Sequence, residues 1–300
     1  MSVITADGSI YFDFTGIPIM VGRSFSSAVK KNDPLIAHDL TEIEHCHDFS
    51  ELFIVKRGQG MQCLEGTSHP ITAGDVFLLQ GQQRHYFHDR KGLELINVMF
   101  NPDQLGFPEN ELRRMPGYSA LFLLEPNYRH QHRFASHLHL KHRELNEAED
   151  ILIAMEHECQ TKEPGYEVNL RAKLLELIVY LSRQYLKVET TESQALLRVG
   201  KVIGAMENNL SANWTIEKLT EIAHMSKSNL LTVFRKATGE TPIEYLINLR
   251  IHKSIQLLKN TNLSITAIAY KIGFNDSNYF TRQFRKTIGS SPRTFRNKNT

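Results

Sequence analysis

The sequence predicts a multidomain protein of α and β class, in which an amino-terminal β-barrel and two helices precede an all-α domain with two helix-turn-helix units. Three observations lead to this fold class. Short apolar runs separated by glycines occupy the first 100 residues, helical apolar spacing starts near residue 145, and one helix-turn-helix pattern occurs twice in the last third. The 300 residues, 41% of them hydrophobic, suffice for two domains with separate cores.

The barrel is predicted over residues 1–143, because short strand-forming runs alternate there with glycine-containing turns. The runs are residues 52–57, 60–65, 76–79, 85–88 and 93–100. A further short strand is expected near residues 135–140, and the sequence after residue 100 is otherwise irregular. Strand lengths and turn signals of this kind are typical of a small antiparallel barrel or sandwich.

Residues 144–186 are predicted to form a helical pair, 145–160 and 167–185, separated by a Lys-Glu-Pro-Gly breaker. Both helices carry a stripe of residues at spacings of three and four. The stripe residues are Leu145, Ala148, Leu152, Met155, Cys159, Leu170, Leu174, Leu177, Leu181 and Gln184. Two interpretations stay open: the stripes cover the barrel, or they form the interface of a homodimer. Residues 187–194 are polar and aperiodic, and are predicted to be a linker.

The charge distribution separates the two halves, although the whole chain carries a formal charge of only +2. Residues 194–300 contain 16 Lys and Arg against 6 Asp and Glu, whereas the first 193 residues contain 19 against 27. A basic module joined to an acidic one indicates a polyanionic partner for the carboxy-terminal half.

Localisation is predicted from two patterns that the sequence lacks. Its start has no basic segment followed by an apolar one, and its longest apolar stretch is too short to span a bilayer. We therefore expect a cytoplasmic protein with no membrane partner. Cys46, Cys63 and Cys159 show no C-x-x-C spacing, which disfavours a disulfide framework or a zinc ribbon and fits a reducing compartment.

The carboxy-terminal domain is predicted over residues 195–300 and contains the two related units at 216–242 and 268–296. Thr215 and Ser226 are the predicted N-caps of the two helices in the first unit. The second helix of each unit buries apolar residues at helical spacing, so its other side chains could meet base edges in the major groove. This outward set is Ser228, Leu231, Thr232 and Arg235 in the first unit, and Ser277, Asn278, Thr281, Arg282 and Arg285 in the second.

Arg282 and Asn278 are the side chains best suited to reading bases. A guanidinium matches the two acceptors of guanine, and a carboxamide matches the donor and acceptor of adenine. Between the units, a predicted helix over residues 243–258 would span about 24 Å at 1.5 Å per residue. That length roughly suits the ~34 Å between successive major-groove faces, so one chain could place both units on one side of a duplex.

Residues 215–296 resemble the DNA-binding domain of the AraC/XylS family of bacterial transcription regulators. The motifs that carry the resemblance are A-x-x-x-G-F at 269–274, F-R-K at 284–286 followed by Gly289 and Pro292, and F-R-K at 234–236. The resemblance implies that both second helices enter adjacent major grooves, that the protein contacts RNA polymerase and that it activates transcription. The chain departs from the family at His224, where the turn usually holds glycine, which predicts a strained or differently shaped first turn.

A second resemblance lies upstream, where residues 45–58 read H-x-H-x3-E-x6-G and are similar to the first cupin motif. Gly74 and His85 resemble parts of the second cupin motif. That second motif is degraded at residues 80–82, where Gln-Gly-Gln stands in place of the usual prolines and glycine. The resemblance implies a cupin-like effector-binding barrel.

Strand alternation puts His45, His47, Glu51 and Phe53 on one face of the barrel wall, and His85 on a later strand could converge with them. These five residues are the predicted effector-binding set. Three hypotheses stay open: contact with a small-molecule effector, a divalent transition metal on the three histidines and Glu51, or a structural polar cluster. No resident cofactor is predicted.

The sequence as a whole predicts a promoter-binding transcription regulator, an activator and homodimer, controlled by a small molecule in the barrel. The resemblance extends to sugar-responsive members, especially the rhamnose-operon activators, so a sugar is the expected effector. No catalytic residue is predicted. The rival hypothesis is a metal-dependent cupin enzyme with an accessory DNA-binding module. A DNA-repair protein would instead need an activated cysteine, for which Cys46 between two histidines is the candidate.

Overall fold

The structure is a computed structural model of the chain and describes residues 4–25, 43–129 and 136–298. The chain divides into two compact units, residues 1–197 and 198–300. The strands described in the first unit are β1 (Ile4–Ala6), β2 (Ile19–Phe25), β3 (His45–His47), β4 (Ser50–Leu64), β5 (Thr67–Thr72), β6 (Asp75–Gln80), β7 (His85–Phe100) and β8 (Leu138–His139). Its helices are α1 (Ser9–Thr15), α2 (Pro102–Leu105), α3 (Glu109–Arg113), α4 (Pro116–Tyr118), a π-helix (Ser119–Leu124), α5 (Glu125–Tyr128), α6 (His142–Thr161) and α7 (Tyr166–Tyr185).

Strands β4 and β7 form the centre of a single sheet that contains the eight strands named above. The sequence predicts two strands in each of these segments, whereas the structure has single antiparallel strands of 15 and 16 residues. The glycines expected to make turns instead accompany register shifts within β4. Gly58 has φ +77°, and a Cβ atom there would lie 2.2 Å from the carbonyl oxygen of Gly92. Only glycine fits this crossing, where the two long strands bend.

Apolar side chains fill the interior of the sheet as it curls around itself. The main cluster is Phe53, Val55, Leu64, Ile71, Phe77, Leu79, Phe87, Leu93 and Leu95. Three of its rings form an aromatic layer (Phe53, Phe77 and Phe87), in which the ring centroid of Phe53 lies 5.1 Å from that of Phe77 and 5.2 Å from that of Phe87. Polar side chains contact this layer from both sides, as described below.

The helical pair follows as predicted, and the structure resolves the question left open by its stripes. Every stripe residue is at most 9% exposed in the single chain. The two helices pack on each other, and α6 also packs on β2. Because the stripes are buried within the chain, they are not available as a dimer seam. Burial also raises the pKa of the Cys159 thiol on α6 to about 11.

The segment predicted as a linker differs in the structure, because α8 (Thr191–Asn208) begins inside it. Thr190 accepts a hydrogen bond from the backbone N–H of Ser193 at 3.2 Å, so polar residues that suggested a linker cap a helix instead. The predicted strand near residues 135–140 is β8, and Ala135 lies outside the described residues.

The second unit consists of helices that correspond closely to the predicted units. After α8 they are α9 (Ile216–Ala223), α10 (Lys227–Thr238), α11 (Pro242–Asn260), α12 (Ile265–Lys271), α13 (Ser277–Ile288) and α14 (Pro292–Lys298). Both predicted N-caps are confirmed: Thr215 accepts from the N–H of Lys218, and Ser226 from that of Asn229. No helix among the described residues is both long and apolar enough to cross a membrane.

Candidate DNA interface and barrel site

Helix α10 presents the predicted outward residues on the face opposite its buried side. The buried residues are Leu230, Val233, Phe234 and Ala237. At about 100° per residue, positions 228, 231, 232 and 235 lie on the far side of the helix. Ser228, Thr232 and Arg235 are exposed and Leu231 is half-buried. The predicted DNA-contacting residues of α10 therefore comprise one cation and otherwise short or apolar side chains.

Helix α13 repeats this arrangement, with side chains on its outward face that are better suited to hydrogen-bond with bases. Asp276 caps it by accepting the N–H of Asn278 at 2.7 Å, and Phe280 and Phe284 are its buried residues. Asn278, Arg282 and Arg285 are exposed, and Ser277 and Thr281 are half-buried. The guanidinium of Arg282 lies 5.8 Å from the ring centroid of Tyr279, a contact that the sequence did not indicate. Arg282 is thus oriented by an aromatic neighbour while its donors face solvent.

Two hydroxyls in the predicted sets donate within their own helices. Thr232 Oγ1 donates to the Ser228 carbonyl and Thr281 Oγ1 to the Ser277 carbonyl, each at 2.9 Å. Because each hydroxyl has one proton, these threonines could only accept a hydrogen bond from a base without losing that contact. This geometry limits what Thr232 on α10 and Thr281 on α13 can contribute to base recognition.

The turns between the paired helices adopt the same left-handed conformation in both units. His224 has φ +48° and the equivalent Gly273 has φ +96°. A Cβ atom at Gly273 would lie 2.7 Å from Ser211 Cα and 2.8 Å from the Leu210 carbonyl oxygen. His224 is exposed, so its turn tolerates a side chain. Histidine in place of the usual glycine therefore leaves the shape of the turn intact, although its positive φ remains a strained backbone conformation.

Helix α11 joins the two helix-turn-helix units of the carboxy-terminal domain through polar contacts as well as packing. Asn248 donates to the Glu240 carboxylate of the first unit at 2.7 Å and accepts from Thr287 of the second at 3.3 Å. Arg250, buried on the same helix, donates to the carbonyls of Leu210 and Ala212. With 19 residues, α11 is about 28 Å long. These contacts position α10 and α13 within one compact unit.

The predicted barrel residues converge in the closed interior of the first unit. His47 Nε2 lies 3.0 Å from Glu51 Oε2, and His85 Nε2 lies 3.4 Å from the same oxygen. The ring centroid of His45 lies 4.3 Å from that of His85. Asn97, which the sequence did not single out, donates to the other Glu51 oxygen at 2.9 Å. The four predicted polar residues are at most 2% exposed.

The three histidines share a second geometric feature. Each Nδ1 lies 3.1 Å from a backbone carbonyl oxygen two residues away, so His45 pairs with Ile43, His47 with Phe49 and His85 with Gln83. Since a carbonyl only accepts, Nδ1 must carry the proton, and Nε2 of a neutral ring then holds the lone pair. Backbone carbonyls orient metal-binding histidines in the same way. The ligand atoms of His47, Glu51 and His85 lie within 4.8 Å of one another, so this donor set fits a divalent transition metal.

The predicted effector residues do not line the large open cavity of the barrel. That cavity, the mouth pocket, has a volume of about 1100 Å³ and is lined by Gln59, Gly60, Met61, Pro70, Ile71, Thr72, Asp75, Asp89, Arg90, Lys91, His137 and His139. The aromatic layer lies between the histidine cluster and the mouth pocket: Phe87 contacts His85 at 6.2 Å between ring centroids, and Phe77 contacts His137 at 5.4 Å.

Gln62, which the sequence did not single out, is 0% exposed, and neither polar atom of its amide has a hydrogen-bond partner among the described residues.

Comparisons with known proteins agree with both halves of this architecture. The AraC-like ligand binding domain matches residues 37–159, and a helix-turn-helix domain matches residues 219–298. The HTH-type transcriptional activator RhaR of Enterobacter sp. (strain 638) is 30% identical over 260 residues, 85% of this chain and 87% of the relative. The chain belongs to the AraC family of transcription regulators. The HTH-type transcriptional activator RhaS of the same strain is 30% identical over 254 residues, 84% of this chain and 87% of that relative.

As a member of the AraC family, the protein is a DNA-binding transcriptional activator with a ligand-binding domain, which confirms the main functional prediction. The comparisons support this function and not the cupin-enzyme alternative. Among solved structures, the C-terminal domain of the two-component response regulator yesN from Fusobacterium nucleatum is 30% identical, with a TM-score of 0.31, over 32% of this chain and 93% of that one.

Proposed function

We propose that this activator responds to a small polyhydroxylated molecule, a sugar by class, bound inside the barrel through His45, His47, Glu51, Phe53 and His85. The observation that carries the proposal is the convergence of His47 and His85 on the Glu51 carboxylate, with the His45 ring against His85, beside the aromatic layer. Imidazole and carboxylate groups exchange hydrogen bonds with hydroxyls, and an aromatic ring stacks on the apolar face of a sugar. The protein acts as a regulator and not as an enzyme, in keeping with the relatives named above.

Access to this cluster depends on the segment that covers it. Strand β1 pairs with β3, which carries His45 and His47. The ring of Phe49 stacks on His47 at 4.5 Å and meets Tyr11 of α1 at 5.5 Å. Effector binding in the interior therefore requires β1 and α1 to shift. An effector that binds the shifted arrangement better changes its population, whereas equal affinity for both would change nothing.

The backbone hydrogen bonds that orient the histidines favour a second candidate function. In this alternative, the sensor barrel holds a divalent transition metal on His45, His47, Glu51 and His85. Such an ion would act as a Lewis acid toward an effector oxygen. Metal analysis of the purified protein tests this candidate. A stoichiometric ion that is lost in His47→Gln supports it, and an ion-free protein that still binds its effector contradicts it.

We propose promoter DNA, RNA polymerase and a second copy of the chain as macromolecular partners in the cytoplasm. The stripes of α6 and α7 cannot supply the dimer contact, but the same helices expose Ile153 and Val168, which are 49% and 71% exposed. Light scattering at several concentrations tests the dimer, with Val168→Glu as the variant expected to dissociate it. A monomer at every concentration contradicts this partner.

A sugar panel measured by two independent readouts tests the proposed function. Thermal shift reports effector binding, because a ligand that binds only the folded state raises the melting temperature. Footprinting on the adjacent intergenic DNA reports promoter binding with and without each sugar. We expect Glu51→Gln to abolish the thermal shift while retaining basal DNA binding. Arg282→Ala should weaken promoter binding while retaining the thermal shift. A protein that protects no DNA under any condition, or a sugar response unchanged in Glu51→Gln, contradicts the proposal.

A further inference from the structure

A second cluster of metal-ligating side chains lies on the other side of the aromatic layer, where β6 meets β8. Asp75 Oδ1 lies 3.0 Å from Nε2 of His137 and 2.7 Å from Nδ1 of His139. These three donor atoms lie within 4.8 Å of one another. Asp75 is 2% exposed, whereas the side chains of His137 and His139 are 28% and 50% exposed. The cluster thus has a buried carboxylate and two imidazoles that solvent can reach.

Several contacts hold the three side chains in this arrangement. Strand pairing sets Asp75 opposite His139. The ring of His137 stacks on Phe77 at 5.4 Å with an interplanar angle of 16°. The second Asp75 oxygen accepts the backbone N–H of Thr72 at 2.8 Å. The donor atoms are therefore oriented by the fold itself and not by their mutual hydrogen bonds alone.

We propose that Asp75, His137 and His139 bind a divalent transition metal, for which zinc is the best match. Two imidazoles and one carboxylate form the protein ligand set of many zinc sites that keep a fourth position open. All three residues line the mouth pocket, from which water or a solute oxygen could supply that position. Metal bonds of about 2.0–2.1 Å place tetrahedral ligand atoms roughly 3.3 Å apart. The distances from Asp75 Oδ1 to the two imidazole nitrogens would have to lengthen by only about 0.3–0.6 Å, which is within side-chain rotation.

The competing explanation is a hydrogen-bonded clasp in which both imidazoles donate to Asp75. The two explanations differ in one testable respect: a clasp needs a donor at each histidine position, whereas a metal needs a lone pair there.

Metal binding at this cluster would tie β8 to β6 near the start of the helical pair. The Leu140 N–H, between β8 and α6, donates to the carbonyl of Gly74 at 2.8 Å, directly beside Asp75. An ion that joins both strands would stabilise this connection in the folded state only, and would therefore raise the melting temperature of the unit.

Titration of tag-free, chelator-treated full-length protein with Co²⁺ and then Zn²⁺ tests the proposal. Cobalt in a tetrahedral site of this kind gives visible absorption, and zinc should displace it and raise the melting temperature. In His139→Gln, the amide N–H can still donate to Asp75 but the nitrogen lone pair is lost. We expect this variant to bind the cluster's metal at least about 100-fold more weakly. His142→Gln removes an exposed imidazole three residues away and should leave the titration unchanged.

The number of metal equivalents decides between the two explanations. Loss of one equivalent in both His139→Gln and His137→Gln, with unchanged far-ultraviolet circular dichroism, supports the site. An equivalent that persists in these variants belongs to the His47, Glu51 and His85 cluster. If wild-type protein and both variants bind the same equivalents with the same affinity, the cluster is a hydrogen-bonded clasp only. This readout involves neither DNA nor sugar, so its failure is distinguishable from failure of the proposed function.

Discussion

Replacing Arg282 with alanine should remove discrimination at one base pair of the promoter site without disturbing the fold. The side chain is exposed on α13, and its one contact among the described residues is with the Tyr279 ring. A surface substitution of this kind changes the free energy of unfolding by no more than about 0.5 kcal/mol. A bidentate arginine-guanine contact is worth about 1–3 kcal/mol of discrimination. Since about 1.4 kcal/mol corresponds to tenfold, the variant should lose roughly 5- to 150-fold in affinity for its promoter site.

Fluorescence anisotropy on a labelled promoter fragment measures this loss, and a panel of single-base-pair changes locates it. In Arg282→Ala the penalty for changing one base pair should vanish while the penalties elsewhere persist. Arg285, nearer the carboxyl end of α13, is expected to contact phosphate. Its alanine variant should weaken binding to all sequences alike and reduce the slope of log K against log salt by about 1. Arg183→Ala on α7 removes an exposed arginine from the first unit and serves as the charge-matched control.

Two results would refute this reasoning. If Arg282→Ala and Arg183→Ala bind every fragment with the same affinity, Arg282 makes no contact with DNA. If Arg282→Ala weakens all sequences equally, its role is electrostatic and the specificity of the protein lies elsewhere. Equal melting temperatures for the variants and the parent protein are required in either case.

Three further predictions concern stability and thiol chemistry. Gly273→Ala should destabilise the second unit by about 3 kcal/mol, because of left-handed strain and overpacking. His224→Gly should change the free energy of unfolding by less than about 1 kcal/mol. Equal effects of the two substitutions in urea unfolding would contradict this prediction. Arg129 and Glu125 form a buried ion pair at 2.8 Å. Arg129→Met should cost about 3–5 kcal/mol because it leaves the buried carboxylate without its cation, and a smaller loss would show that the carboxylate takes up a proton or water. Burial raises the pKa of Cys159 to about 11, so its contribution to folded-state stability is complete below about pH 9 and is lost as pH rises toward 11. Iodoacetamide should accordingly label native Cys159 roughly 100-fold more slowly than the urea-unfolded thiol at pH 8, and comparable rates would exclude burial of this sulfur.

Local signals explain why the helix-turn-helix units could be predicted from the sequence, whereas α8 was not predicted. Thr215 and Ser226 mark helix starts by their own side chains, and α9 spans the residues that apolar spacing indicates. The buried residues of α10 and α13 follow from the same period. The one irregular position, His224, keeps the left-handed turn of its glycine counterpart, which sequence alone did not decide.

Non-local pairing explains what the sequence did not reveal in the first unit. Gly58 looks like a turn residue until Gly92 is known to lie against it, because the crossing of β4 and β7 joins positions 34 residues apart. Alternation along one strand predicted the convergence of His47 and Glu51, but the structure places them on two successive strands, β3 and β4. The cupin resemblance added His85. Asp75 and His139 are 64 residues apart and belong to no motif, so only the pairing of β6 with β8 brings them together.

The two reading helices have the same geometry but unequal chemistry, and this inequality shapes how the protein would select a promoter. On α10 the outward face has one cation, and its Thr232 hydroxyl already donates to the helix backbone. On α13 the same face has Asn278, Arg282 and Arg285, all exposed. Asn248 of α11 forms hydrogen bonds with both helix-turn-helix units, so we expect α10 and α13 to meet DNA together. Helix α10 would then add affinity that varies little with sequence, while α13 selects the site. Promoters recognised by this protein should therefore tolerate changes in one half-site far better than in the other.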